Sequence, residues 1–432
     1  MVDSTVSMKS LLEMVAQWCR ENVKAKDVDE AEQIAQLVGR QVAGVVAQVS
    51  IGELDEKDTA PASRIDCECG RRAEYKVKRA RGIATLCGPV TVVRAYYYCP
   101  HCKRGYTPWD RRQGLDQHQW TASVKALVAE VAGCLTYQET VRLLKRTCDL
   151  GVQVRSAEQI VQQVGVRLRA QQSAVRSQVM AGEAVPFIGP PPDRFYIGMD
   201  AGKALIDEQW HDVKVGALWT SKPGRDGLDT CDRTWYTAAQ EKAEGFGERV
   251  YAQAVQCGAN QAGERIVIGD GADWIWNLAA EHWPEATQIV DYFHACEHIH
   301  DLAKVHYGEG NENGKRWAKE HCDRLKEAGP DSLLRALRRM KPHTEAQREA
   351  VRLQLHYFTH HRPRMMYHEF RARKLMIGSG PVEAACKTVI GCRLKRAGMR
   401  WSQAGADAVL AIRCEVLNQD YDQIAIASKL AA

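Results

Sequence analysis

The chain has 432 residues, 45% hydrophobic and 26% charged, with room for about two to four domains, a balance that excludes a disordered or fibrous protein. No apolar run approaches the roughly 18 residues of a membrane span, and a start containing Asp3 with no apolar core behind a basic segment argues against a signal peptide. A cytoplasmic protein is expected, associated with the nucleoid when bound to DNA. The formal charge of +5 is small but uneven: residues 71–112 hold eleven Lys and Arg against two acids, and residues 331–375 eleven against four. Such segments suit a polyanionic partner or form a solvated charged face.

In chain order, residues 6–50 read as helical, with Ile34, Leu37, Val38, Val42, Val45, Val46 and Val49 on one apolar face that calls for packing or self-association. Residues 1–60 form this first segment. Next, Cys67-Glu-Cys69 and Cys99-Pro-His-Cys102 flank strands expected at 73–78 and 90–98, so a hairpin would bring the cysteine pairs together over 61–115 as a zinc ribbon. His101 or Cys87 could replace one ligand. With fifteen cysteines and no secretory start, reduced thiols are expected.

Three helices are expected at 122–132, 136–145 and 156–179. Thr136 with Glu139, and Ser156 with Gln159, have the spacing of capping boxes. The last helix carries Gln162, Gln163, Arg167 and Arg169, and the stretch 116–182 suits a helix-turn-helix DNA reader, as it would suit any small helical bundle. Residues 181–192, with Pro190-Pro-Pro192, read as a linker. From 193 to 432 the order is strands at 195–200, 212–219 and 233–238, a helix near 246–257, a strand at 265–270, a helix at 273–282 and a strand at 287–292. A meander followed by alternating helices and strands is the order of a ribonuclease-H-like mixed sheet within a multidomain α+β chain. Residues 296–375, mostly helical and basic, interrupt it before a helix that carries Glu383.

Asp200 and Asp270 each close a short apolar run and precede glycine, as if a buried strand stopped at an active-site edge. Two such aspartates and Glu383 suit a pair of Mg2+ or Mn2+ ions, hard cations that prefer oxygen ligands. Asp200 would bridge both ions, Asp270 would bind one and Glu383 the other. Arg393, Lys395, Arg396, Arg400 and Trp401 follow soon after and could contact phosphates and stack on an unpaired base.

Gly198-Met-Asp200-Ala-Gly202, Gly269-Asp270-Gly271-Ala272, Asp291-Tyr-Phe-His294 and Gly378-Ser-Gly-Pro-Val-Glu383, leading into Arg393-Leu-Lys-Arg-Ala-Gly-Met-Arg-Trp401, together resemble the motifs of bacterial insertion-sequence transposases of the DDE class. The similarity is closest to the ISKra group, which is related to Mutator-like transposases. It spans the cysteine pairs to about residue 418. The resemblance implies that Asp200, Asp270 and Glu383 are the catalytic triad, that 296–375 is an all-α insertion, and that Asp291 and His294 match a C/D-x-x-H signature near the active centre, orienting a phosphate or a water. It also implies an enzyme that binds double-stranded DNA at the element ends and target, cleaves and transfers strands, and works as a homodimer or higher oligomer on DNA. The rival expectations are a domesticated DNA-binding protein without transposition activity, and a zinc metalloprotease suggested by His294-Ala-Cys-Glu-His298.

Overall fold

The computed structural model describes residues 4–56, 61–115, 118–225 and 227–429, so the sequence-derived boundaries at 60/61 and 115/116 and the start at Asp3 touch residues outside these. The protein is α+β and divides into two compact units, Met1–Lys125 with Val141–Val152 and Lys429–Ala432, and Ala126–Thr140 with Gln153–Ser428. This partition differs from the one read from the sequence. The helix expected within 156–179 belongs with the larger unit rather than with a separate DNA reader.

In the first unit the helical segment expected over 6–50 comprises two helices, α1 (Ser4–Asn22) and α2 (Val28–Glu56), separated at 23–27. Strands β1 (Arg64–Asp66), β2 (Arg72–Thr85), β3 (Gly88–Cys99) and β4 (Arg104–Tyr106) form an antiparallel sheet in sequence order. The short helix α3 (Pro108–Arg112) follows. One side of α2 lies on the hairpin: Ala47 and Ile51 pack against Ile83, Val90, Val92, Trp109 and Leu115, and the Gln48 side chain bonds the Thr91 backbone in both directions. Leu37, Val45, Val46 and Val49 of the predicted apolar face are exposed. Residues 28–54 are also long and apolar enough, by length and composition, to cross a membrane, which the sequence reading had not expected of any segment. Beneath the hairpin, Asp110 accepts hydrogen bonds from Arg94 and Arg81, a buried pairing that offsets the cost of removing these charges from water.

Helices α4 (Ala122–Cys134) and α5 (Tyr137–Cys148) have residues in both units. The expected capping box at α5 is present: the Glu139 amide donates to Thr136 Oγ1, and the Thr136 amide donates to Glu139 Oε2. The second expected box is absent, because α6 (Val154–Met180) starts two residues early with Gln153 as its N-cap, leaving Ser156 inside the first turn.

The larger unit is organised by a mixed five-stranded sheet in the order β7-β6-β5-β8-β9. Strands β5 (Arg194–Ile206), β6 (Gln209–Pro223) and β7 (Asp229–Ala239) form an antiparallel meander. Asp207 and Glu208, both at positive φ, make the two-residue turn between β5 and β6. Then α7 (Ala243–Gln256), β8 (Glu264–Gly269), α8 (Asp273–His282) and β9 (Thr287–Val290) add two strands parallel to β5. The buried runs 195–199 and 266–269 are what inner strands covered on both faces require. Helix α7 covers one face, where Gly216 lies against Val250, and the opposite face is covered at Gly198 by α14, introduced below.

The interrupting segment is all helical: α9 (Tyr292–Tyr307), α10 (Glu312–Ala328), α11 (Asp331–Arg339), α12 (Glu345–His360) and α13 (Tyr367–Ala372). The chain then returns through α14 (Gly380–Ala385), a π-helical turn at Cys386–Gly391 and the single turn α15 (Cys392–Leu394). Helices α16 (Gln403–Asn418) and α17 (Tyr421–Lys429) complete the unit. Asn418 bonds both the amide and the carbonyl of Tyr236, fixing α16 on β7.

Candidate active site and metal centre

Strand β5 does not stop at Asp200, as the sequence suggested; it continues to Ile206 because its antiparallel pairing with β6 persists. What stops is β8. The parallel register pairs Gly198 with Ile268, so two residues further Asp200 stands beside Asp270 at the end of β8. The two residues have the same parity as Gly198 and Ile268, so both side chains project on one face of the sheet. That face is the one α14 crosses, and a Cβ on Gly198 would collide with the Val382 side chain. Glycine is what lets the helix carrying Glu383 approach the strand.

Asp200 accepts from the Ala201 amide and, at 3.0 Å, from the Cys386 thiol, one turn after Glu383. Burial, then this hydrogen bond and the Asp200 charge, raise the Cys386 pKa well above that of an ordinary thiol. Asp270 Oδ1 accepts from the Ala272 amide, and its carbonyl accepts from the Tyr357 hydroxyl at 3.0 Å. Gly271, at φ 107°, admits the Tyr357 ring where a Cβ would lie 2.8 Å from it. The Glu383 carboxylate is exposed and turned to Lys387 at 2.7 Å, an ion pair that lowers its pKa. Among the described residues, the sets of three or more His, Cys, Asp or Glu whose ligand atoms lie within 4.8 Å of one another are the cysteine group and Asp273 with His360 and His361. Asp200 and Asp270 are therefore neighbours, while Glu383 is carried by the adjacent helix with its carboxylate turned aside.

Asp291 is buried and uses both carboxylate oxygens. Oδ1 caps α9 by accepting from the Phe293 and His294 amides, and Oδ2 accepts from the Ser379 amide and hydroxyl. Beside the expected role of orienting a phosphate or a water, these contacts make Asp291 a tether that ties the end of β9 to the loop that opens α14. His294 lies one turn into α9, 3.2 Å from Glu297, and its ring meets that of His298, which stacks on Tyr357. His298 bonds Gln354, and this pair gathers no third ligand of the protease type among the described residues.

The residues expected on DNA divide. Arg393 is 1% exposed, donates to the Ala132 carbonyl and lies over the Tyr137 and Trp401 rings, and Trp401 is buried with its indole nitrogen on the Leu394 carbonyl. Both are interior residues, closed to phosphates and bases. Arg167 donates to the Ala427 carbonyl and Arg169 pairs with Asp407, so α6 turns these cations to α17 and α16 rather than outward. Arg396 forms a two-pronged pair with Glu139, and Arg400 is exposed near Glu208. Lys395 lies near Gly202, on the Asp200 side of the sheet.

In the first unit the hairpin brings Cys67, Cys69, Cys99 and Cys102 together, with Sγ separations of 3.5 Å for Cys67–Cys102, 3.3 Å for Cys67–Cys69 and 3.7 Å for Cys69–Cys99. A tetrahedral zinc with bonds of about 2.3 Å requires sulfurs about 3.8 Å apart, so the four can hold such a metal with small adjustments. Burial alone would raise the Cys67 pKa, but the Cys69 amide, the Tyr106 hydroxyl and the neighbouring thiols bring it down to about 6, while hydrogen bonding to Cys67 pushes the Cys69 thiol up to about 12, so Cys67 is the first of the two to ionise and Cys69 keeps its proton until a metal displaces it. Cys87, at the far turn of the hairpin, and His101 are not in the group.

Sequence reasoning missed Cys386, Ser379 and Tyr357. Cys386 could have been found from its place three residues after Glu383, on one helix face; Tyr357, eighty-seven residues from Asp270, carries no such signal. A family model described as "Uncharacterised protein family (UPF0236)" matches residues 27–422. No curated protein matches the chain.

Proposed function

We propose that this chain, which belongs to the UPF0236 family, is a DNA transposase whose larger unit is a ribonuclease-H-like core cleaving and transferring DNA strands. The observation that carries the proposal is the parallel register setting Asp200 beside Asp270 under the helix that bears Glu383. The sheet order, with three antiparallel strands followed by two parallel ones and an all-helical segment before the last acid, also supports it. Asp200, Asp270 and Glu383 would hold two Mg2+ or Mn2+ ions, which stabilise the attacking and leaving oxygens of a phosphodiester. For this Glu383 must leave Lys387, an exposed, solvent-screened ion pair that is easily given up. The four thiols would hold a structural zinc, and the partner is double-stranded DNA at element ends and target, engaged by a dimer or larger assembly. With Arg393 and Trp401 interior, the exposed cations of that segment that could meet a backbone are Lys395 and Arg400, the latter by leaving its exposed pair with Glu208.

Asp200→Asn, Asp270→Asn and Glu383→Gln should each abolish Mg2+- or Mn2+-dependent cleavage of DNA carrying the element ends while leaving binding to that DNA nearly unchanged. Cleavage at the wild-type rate by any of the three would remove that residue from the site. End binding without cleavage by the wild type would favour a domesticated DNA-binding protein.

A further inference from the structure

We propose that Asp273, His360 and His361 form a second cation site, distinct from the cysteine group and from the acidic triad, that takes a borderline transition metal such as Zn2+, Co2+ or Ni2+. The residues come from two elements that the fold presses together. Asp273 is the first residue of α8, three positions after Asp270, while His360 ends α12 and His361 is its C-cap. Tyr357, one turn before His361, docks α12 on the loop through its bond to the Asp270 carbonyl and its fit against Gly271.

One ligand atom from each of the three residues lies within 4.8 Å of the others, and His360 Nε2 is 3.6 Å from Asp273 Oδ1. Bonds of about 2.0–2.1 Å in a tetrahedral site require donors roughly 3.3 Å apart. The remaining contraction falls on His360 and Asp273, whose side chains are 51% and 82% exposed and free to turn. The buried His361 is the anchor. Two imidazoles and one carboxylate select a borderline ion over Mg2+, and three protein ligands leave a position open for water. His356, one turn before His360 with its ring 6.0 Å away, supplies a further imidazole on the same side of α12. Arg364 opposes the site: its guanidinium lies 3.4 Å from His361 Nδ1, although Gln288 and the Trp276 ring hold it independently. The site is therefore weaker than the thiolate centre. Its occupancy would brace α12 against the loop that carries Asp270.

The test is Co2+ titration of the metal-stripped full-length protein under reducing, anaerobic conditions, reading bound metal per chain together with the absorption spectrum. Two tight equivalents are expected, the first with thiolate charge-transfer absorption and the second without it, ahead of any weaker uptake by the carboxylates of Asp200, Asp270 and Glu383. Asp273→Asn and His360→Ala, both exposed and unable to unfold the core, should each weaken the second equivalent by at least about tenfold and leave the thiolate band unchanged. Asp200→Asn should leave both equivalents in place. Uptake of a single equivalent by the wild type would overturn the proposal. So would a second equivalent indifferent to both variants, or one lost in Asp200→Asn instead.

Discussion

Asp291 shows how one buried carboxylate can join two segments far apart in the chain. Its two oxygens serve four donors, two at the start of α9 and two on Ser379, so removing it unsatisfies groups on both sides of the joint. Asp291→Ala should lower stability by about 2–4 kcal/mol, a lost cap plus buried donors left unpaired, as read by denaturant unfolding. Asp291→Asn retains an acceptor for the cap but presents an NH2 group to the Ser379 donors, so it should fall between wild type and alanine. Ser379→Ala, which removes one hydroxyl, should cost less than either. Equal losses in all three would mean that the tether carries no energy. Glu415 is a second buried carboxyl, held by Gln172 and pushed up by burial to about 7. Its folded-state pKa lies above its unfolded value, so its contribution is complete below about pH 4.3 and is lost as pH rises through 7. His361, which burial brings down to about 4, works in the opposite sense, losing stability as pH falls. The informative quantity is therefore the difference between wild type and Glu415→Gln. From pH 5 to 8 the wild type should lose up to about 3 kcal/mol relative to the variant, and parallel melting curves across that range would refute the assignment.

At the level of elements, the close approaches are made by glycines. Gly165 of α6 lies so near α16 that a Cβ would collide with the backbone of Ala408, and Gly198 does the same service for α14 on β5. Alanine at 165 would favour the isolated helix by about 1 kcal/mol. The collision involves backbone rather than a flexible side-chain tip and should cost about 1–3 kcal/mol before that gain is subtracted. Gly165→Ala should thus lower the melting temperature, and a rise would show that the two helices can move apart freely. The capping signals illustrate the same dependence on context. Thr136 and Glu139 close their box, while Ser156 and Gln159 do not, because Val154 and its neighbours are already helical and leave Ser156 no terminus to cap. Arg167 and Arg169 look like a reading surface in the sequence, yet the turn they occupy faces α16 and α17.

For the whole molecule, the linker does not separate what it seemed to separate. Residues 181–192 lie outside regular elements as expected, but α6 before them and the sheet after them belong to one compact unit, joined through Gly165 and the Arg169–Asp407 pair. Proteolytic nicking within 183–192 should therefore leave fragments that co-elute in gel filtration, and clean separation into two folded pieces would restore the boundary read from the sequence. What the sequence alone determined are the properties carried by short spans. Short apolar runs of β-type residues predicted the strands later found as β5 to β9, a run of helical sequence predicted the all-α interruption, and paired cysteines on a hairpin predicted their own meeting. Each of these depends on neighbours within a few residues or across one turn. Only the tertiary structure decided that Asp200 lies within β5, level with the end of β8, and that Arg393 and Trp401 are core. It alone joined Tyr357 to Asp270 and Asp291 to Ser379. The reason is physical: strand length and burial depend on which partners a segment acquires across the chain, and an arginine has the same local signature whether its guanidinium meets a phosphate or a buried carbonyl.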